Sequence, residues 1–326
     1  MTDTISLPTP DDVLAAAARI AGHAHLTPVL RARTLDDAAG CTLHFKAEHL
    51  QRAGAFKFRG ATNAVWSLGT DAAAHGVVTH SSGNHGAALA LAAASRGLVC
   101  HVVVPEGAVA AKLAAIAGYG AVLHHCAPTL AAREAACERL RVQTGATLIH
   151  PYTHHDVIAG QGTAALELLH AAGPLDVLVV PVGGGGLAAG TALALQYASP
   201  ATHLVLAEPR GADDTLRSLQ AGARVDTLVP DTVCDGLRGL LGAPNFEILR
   251  AHRSSDGTPV EVIAVDDADT VAAMRRIAVH TKQLVEPSSA IALAAVLANR
   301  SRFAGLRVGL VLSGGNVDPD RLPWLS

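Results

Sequence analysis

At 326 residues the chain is long enough for two domains of ordinary size. Half of its residues are hydrophobic and 16% are charged, which supplies a large core and excludes global disorder. A formal net charge of −3 and an aromatic content of 3% give no footing for phosphate backbones, base stacking or anionic membranes.

In chain order, short apolar runs read as strands at 43–46, 76–80, 99–105, 121–124, 177–181, 203–208 and 308–312. Alanine-rich stretches between them, at 87–95, 110–117, 130–143, 162–172 and 187–197, read as helices. Strand–helix alternation with continuously apolar strands predicts an α/β fold built on parallel sheets. The polar segments 69–75 and 150–156 are expected to cross between two lobes, and no repeat of 20–50 residues is visible. Residues 177–207 lack Asp, Glu, Lys and Arg, yet Pro181, Pro200 and the run Gly183–Gly186 break the stretch. It therefore reads as strand, glycine loop and helix rather than a membrane span. No secretory signal pattern is visible in MTDTISLPTPDD. The five cysteines show no CxxC spacing, which predicts reduced thiols in a cytoplasmic protein.

Open α/β sheets bind ligands where strands end and helices begin. Four polar or glycine-rich turns follow expected strands: Thr79–Gly86, Val180–Leu187, Ala207–Asp214 and Leu312–Asn316. Four consecutive glycines before a helix expose backbone N–H groups and predict a phosphate or similar anion at Gly183–Gly186. Gly183, Gly185 and Ala188 also fit G-x-G-x-x-A, with Glu208 about twenty residues further on, as in dinucleotide-binding enzymes. Lysine is scarce, only Lys46, Lys57, Lys112 and Lys282. Lys57 lies in Gly54-Ala55-Phe56-Lys57-Phe58-Arg59-Gly60-Ala61. Rings on both sides would shield its amine, and desolvation lowers a lysine pKa and frees it as nucleophile or base. The adjacent pairs His124-His125 and His154-His155 diverge on regular elements, so neither reads as a ligand set.

Taken with Ser81-Ser82-Gly83-Asn84-His85-Gly86, Ala159-Gly160-Gln161-Gly162-Thr163, Glu286-Pro287-Ser288 and Ser313-Gly314-Gly315-Asn316, the lysine and tetraglycine motifs resemble one family. They are similar to the fold-type II pyridoxal-phosphate enzymes, in particular the serine/threonine dehydratase and serine racemase group. The resemblance runs from Leu26 to Asp318 and outweighs the dinucleotide pattern. It implies two open, twisted, mostly parallel sheets flanked by helices. It also implies a large cofactor domain of residues 1–70 plus 153–326 and a small domain of residues 71–152.

In that family the lysine matching Lys57 holds pyridoxal phosphate covalently. The resemblance implies that Gly183, Gly184, Gly185, Gly186 and Leu187 bind its phosphate. Asn84 is expected at the ring hydroxyl, Ser313 at the pyridine nitrogen and Phe56 beside the ring. A neutral hydroxyl at that nitrogen makes a weaker electron sink and suits prompt β-elimination. Ser81, Ser82, Gly83, Asn84 and His85, expected to begin a helix, and Arg133 are implied at the substrate carboxylate. Glu208, the Ala212 carbonyl and Asp214 match a divalent-cation site, with hard oxygen ligands for Mg²⁺, Mn²⁺ or Ca²⁺. The implied reaction is dehydration and deamination of L-threonine or L-serine to a 2-keto acid and ammonia, with Lys57 taking the α-proton. Serine racemase and 3-hydroxyaspartate ammonia-lyase remain the alternatives, and the sequence does not rank these substrates. Ser82 matches the serine that racemases of this group use as a second acid/base, which implies a catalytic role for it. Gly239 replaces a serine that helps bind substrate in animal racemases, which weakens a pure racemase reading, and Ala87 replaces a glutamine near their nucleotide site, so nucleotide activation is not expected. A cytoplasmic homodimer acting on a small amino acid is expected, with no nucleic acid or membrane partner and no feedback by isoleucine.

Overall fold

The computed structural model of the chain describes residues 6–325. Its larger sheet has six strands in the order β1 (Val29–Leu30), β2 (Thr42–Lys46), β10 (Arg307–Val311), β7 (Val177–Pro181), β8 (His203–Pro209) and β9 (Glu261–Val265). Its smaller sheet has four, β5 (Val122–Cys126), β4 (Cys100–Pro105), β3 (Val77–His80) and β6 (Thr147–Leu148). All neighbouring pairs are parallel except β1 with β2.

Parallel strands need cover on both faces, and their sequences are apolar throughout for that reason. The helices Asp267–Thr281 and Pro287–Ala298 cover one face of the larger sheet through Ala273, Ile277, Ile291 and Leu293. His155–Ala172 and Gly186–Ala198 cover the other through Ile158, Leu168, Leu187 and Leu195. Asn84–Ser95 and Lys57–Ser67 pack on the smaller sheet from one side, and Leu130–Thr144 from the other.

A buried ion network fixes the Lys57–Ser67 helix. The fully buried Arg59 guanidinium donates to Glu48 Oε2 at 2.7 Å and to Glu167 Oε1 at 2.6 Å. Lys46 at the end of β2 donates to Glu167 Oε2 at 2.5 Å. Two cations and two carboxylates thus neutralise one another where an unpaired charge would be costly.

The seven expected strands are present to within one or two residues at their ends. β1, β6 and β9 were not foreseen, nor were the helices Pro10–Ile20, Lys57–Ser67, Asp267–Thr281 and Pro287–Ala298. Two of the missed strands have only two residues, too short to show a period. Segment 69–75 contains the short helix Thr70–Ala74, and the helix expected at 162–172 already starts at His155. The charge-free stretch is β7, the glycine loop, a helix and β8; no helix among the described residues is long and apolar enough to cross a membrane. All five cysteines are unpaired. Strands β3, β7 and β10 end at His80, Pro181 and Val311 respectively, so three of the singled-out turns lie at the carboxyl ends of the two sheets.

Candidate active site

Lys57 is the first residue of its helix, and the backbone before it is tied to the far end of the chain. Phe56 N–H donates to the Ser313 carbonyl at 3.0 Å, Ala55 pairs with Gly314, and Gly315 N–H donates to Gly54 at 2.9 Å. The Lys57 amine donates to the Pro151 carbonyl at 3.0 Å and sits 5.1 Å from the centre of the Phe56 ring. Burial lowers its pKa to about 8, opposed by the Glu286 carboxylate.

Phe56, Lys57, Ser81, Ser82, Gly83, Asn84, His85, Arg133, Gly183, Gly184, Gly185, Gly186, Leu187 and Ser313 all line one cavity of about 660 Å³. That volume is in the range of a small-molecule cofactor site. The glycine run needs its glycines. Gly185 has φ +88°, and a Cβ on Gly184 would stand 2.5 Å from the Tyr152 ring. Asn245 holds the loop from behind, its amide donating to the Gly184 carbonyl at 2.5 Å and to the Tyr152 carbonyl at 2.9 Å. The Gly186–Ala198 helix starts at this loop, so its free N–H groups face an anion-sized space.

The helix expected from Ser81 begins at Asn84, and Ser81–Gly83 form the turn before it. A Cβ on Gly86 would lie 2.1 Å from the Ser81 carbonyl, so this close turn requires the glycine. Asn84 Nδ2 is 3.0 Å from each carboxylate oxygen of Glu286, while its own Oδ1 accepts from Asn316 at 2.9 Å. His85 is buried, with Nε2 3.2 Å from the Ile149 carbonyl, so that nitrogen carries the proton. Burial and the neighbouring Lys57 hold its pKa well below the usual imidazole value. Ser313 is buried, its hydroxyl 3.5 Å from the Ser288 carbonyl. Arg133 lies on the Leu130–Thr144 helix, and its guanidinium has no hydrogen bond or ion pair among the described residues, its Nε buried and unpartnered.

Glu286 is the group that the sequence did not single out for the site. Its motif was visible, but only the fold brings a residue that caps the Pro287–Ala298 helix into the cavity with Lys57. It is fully buried, and desolvation raises its pKa to about 7 against the Asn84 hydrogen bond. Tyr152, Pro151 and Asn245 were missed for the same reason: the fold sets the Tyr152 ring and the Asn245 amide against the loop and the Pro151 carbonyl against Lys57.

Glu208 and Asp214 lie together outside the cavity lining. Glu208 accepts from the N–H groups of Thr215 and Leu216 at 2.8 and 2.9 Å, and so caps the Asp214–Ala221 helix. Asp214 Oδ2 accepts from Leu241 N–H at 2.7 Å, while its Oδ1 is buried without a partner. Ala212 beside them is fully buried. Burial raises the Glu208 pKa to about 8 and that of Asp214 to about 6. Two crowded, desolvated acids with an orphaned oxygen fit a hard divalent cation.

The lysine, glycine loop, Asn84 amide and Ser313 hydroxyl facing one space fit pyridoxal phosphate, and comparison with known proteins agrees. The profile described as "Pyridoxal-phosphate dependent enzyme" matches residues 20–314. The chain is 44% identical over 318 residues to the β-hydroxyaspartate dehydratase of Paracoccus denitrificans, covering 98% of this chain and 99% of that one. Its fold matches the serine racemase of Dictyostelium discoideum with a TM-score of 0.89 at 44% identity, over 96% of this chain and 100% of that one. The maize serine racemase matches with a TM-score of 0.92 at 41% identity, over 97% and 95%. A solved threonine deaminase matches with a TM-score of 0.88 at 42% identity, over 95% and 99%. The chain thus belongs to the pyridoxal-phosphate dependent enzymes of fold type II.

Proposed function

We propose that the enzyme is an ammonia-lyase for β-hydroxy-α-amino acids, eliminating water and releasing a 2-keto acid and ammonia. L-Serine, L-threonine and L-threo-3-hydroxyaspartate all carry the required α-hydrogen and β-hydroxyl. The observation that carries the choice among them is Arg133, a cation in the cavity wall with no protein partner among the described residues. An unpaired guanidinium matches a second substrate carboxylate bidentately, which favours the dicarboxylic substrate. The relative from Paracoccus supports the same reading.

Pyridoxal phosphate, when bound, supplies the electron sink that acidifies the α-hydrogen. The chain's own groups do the rest. Lys57 Nζ, with a pKa near 8, accepts the α-proton at neutral to mildly alkaline pH. Gly183–Gly186 and the Leu187 amide hold the phosphate. Asn84, oriented by Glu286, presents its amide to the ring hydroxyl, while Ser313 faces the ring nitrogen and Phe56 its side. The turn Ser81–Gly83 and the first amides of the Asn84 helix, His85 included, hold the α-carboxylate. Serine racemisation is the second reading, favoured by Ser82 in the cavity wall as an acid/base of its own.

The test is a keto-acid and chirality assay on holoenzyme with the three substrates. Arg133→Gln is expected to raise KM for 3-hydroxyaspartate by about 10- to 100-fold and to leave serine within a few fold, since charged hydrogen bonds contribute about 1.5–3 kcal/mol. Equal losses on both substrates would remove Arg133 from specificity. D-Serine appearing faster than pyruvate, and lost in Ser82→Ala, would promote the racemase.

We further assign Glu208, Asp214 and the Ala212 carbonyl to a divalent cation such as Mg²⁺, Mn²⁺ or Ca²⁺. Mn²⁺ is expected to raise the melting temperature of the wild type and not that of Glu208→Gln, each measured against its own metal-free baseline because the amide keeps only one of the two helix N–H bonds. An equal rise in both proteins would refute the assignment. Residues 71–152 are proposed as a small domain, supported by β3–β6 all falling within them. A cytoplasmic homodimer completes the reading. The unpaired thiols support the compartment, and sizing in solution tests the assembly.

A further inference from the structure

His101 on β4 and His124 on β5 share one face of the smaller sheet. The parallel register sets His101 opposite Val122 and Val103 opposite His124, so the two imidazoles are diagonal neighbours on adjacent strands. His101 Nδ1 stands 3.0 Å from His124 Nε2, with ring centroids 5.2 Å apart and planes at 52°. Both rings are half-buried, and neither has another hydrogen-bond partner or an acidic neighbour among the described residues. Burial lowers both pKa values, which leaves both rings neutral near pH 7 with lone pairs to give. His125 alternates to the opposite side and is exposed.

We propose that His101 Nδ1 and His124 Nε2 form a two-nitrogen site for a borderline divalent transition metal, Cu²⁺ first and Ni²⁺ next, with water completing the coordination. Neutral imidazole suits these ions, and both ligands come from hydrogen-bonded strands that hold their Cα atoms in place. At 3.0 Å the two nitrogens share a hydrogen bond, and an ion with metal–nitrogen bonds of about 2.0–2.1 Å bridges them once each ring turns about its Cβ–Cγ bond to aim its lone pair at the ion. The hydrogen between the two nitrogens moves to the other nitrogen of its own ring, and no proton is lost from the pair. The bound ion ties the edge strand β5 to β4, independently of the cofactor cavity and of the reaction assigned to it.

The test is a titration of untagged holoenzyme with CuCl₂, followed by electron paramagnetic resonance and by melting temperature. The expected result is one ion per chain with a two-nitrogen signature and a raised melting temperature. His101→Gln and His124→Gln should each weaken binding at least tenfold, while His125→Gln leaves it unchanged. Wild-type-like binding by either of the first two variants, or no stoichiometric binding by the wild type, overturns the proposal. Competition on the wild type alone tests the ligand set without relying on variants. Cu²⁺ displacing Zn²⁺ supports the imidazole pair, and Zn²⁺ outcompeting Cu²⁺ overturns it.

Discussion

Between pH 4.5 and about 7 the Glu286 carboxyl keeps its proton in the folded chain, whereas an unfolded chain would release it. The folded state binds more protons in that window, so this residue makes stability fall as pH rises through it. The shift corresponds to about 3 kcal/mol between the two ends of the window. Lys57 acts in a separate window with the opposite slope. Its lowered pKa makes the unfolded state bind more protons from about 8 to 10.5, so stability rises with pH there. Cofactor-free Glu286→Gln, which keeps an acceptor and a donor without a titrating proton, is expected to flatten the acidic slope. Denaturant midpoints at pH 5 and pH 7.5 check this, and an unchanged slope would show that Glu286 does not govern it. Lys57 was legible in the sequence because scarce lysine, flanking rings and glycines coincide within eight residues. Glu286 was not, because its chemistry arises from burial against Asn84, more than two hundred positions away.

Among the elements, the Lys57–Ser67 helix carries the reactive amine at its first residue and the buried Arg59 close behind it. The orientation of the amine therefore depends on charges that never meet substrate. Arg59→Met would leave the buried Glu48 with Lys46 at 3.9 Å as its remaining cation. A loss of about 3–5 kcal/mol is expected, because removing one partner strands a buried charge. Urea denaturation measures it, and a loss below about 1 kcal/mol would mean that the network is not holding the helix. Sequence reading recovered the long apolar strands and the glycine loop, where period and composition speak locally. It overlooked helices whose signals were nonetheless present. Thr9-Pro10-Asp11-Asp12 forms a capping box with proline at the first turn, and Glu286-Pro287 repeats the proline start. The His101–His124 contact was out of reach, because strand register decides which of two adjacent histidines meets a partner.

At the scale of the whole molecule, β2 lies between its early neighbour β1 and the last strand β10, with five paired positions from Arg307–Thr42 to Val311–Lys46. The backbone bonds that fix Phe56 and Gly54 come from Ser313 and Gly315 on the same late segment. A loop of more than two hundred residues must therefore close before Lys57 has its surroundings. Closing a loop of that span costs entropy before any contact offsets it, which makes such pairings late events in folding. During refolding from urea with pyridoxal phosphate present, far-ultraviolet circular dichroism should recover first. The visible absorbance of lysine-bound cofactor should follow only in the slowest phase. Simultaneous recovery of the two signals would contradict that order. On a ribosome the same geometry means that cofactor capture waits for residues 307–315 to emerge, so the reactive amine stays open to solvent while the intervening chain is made.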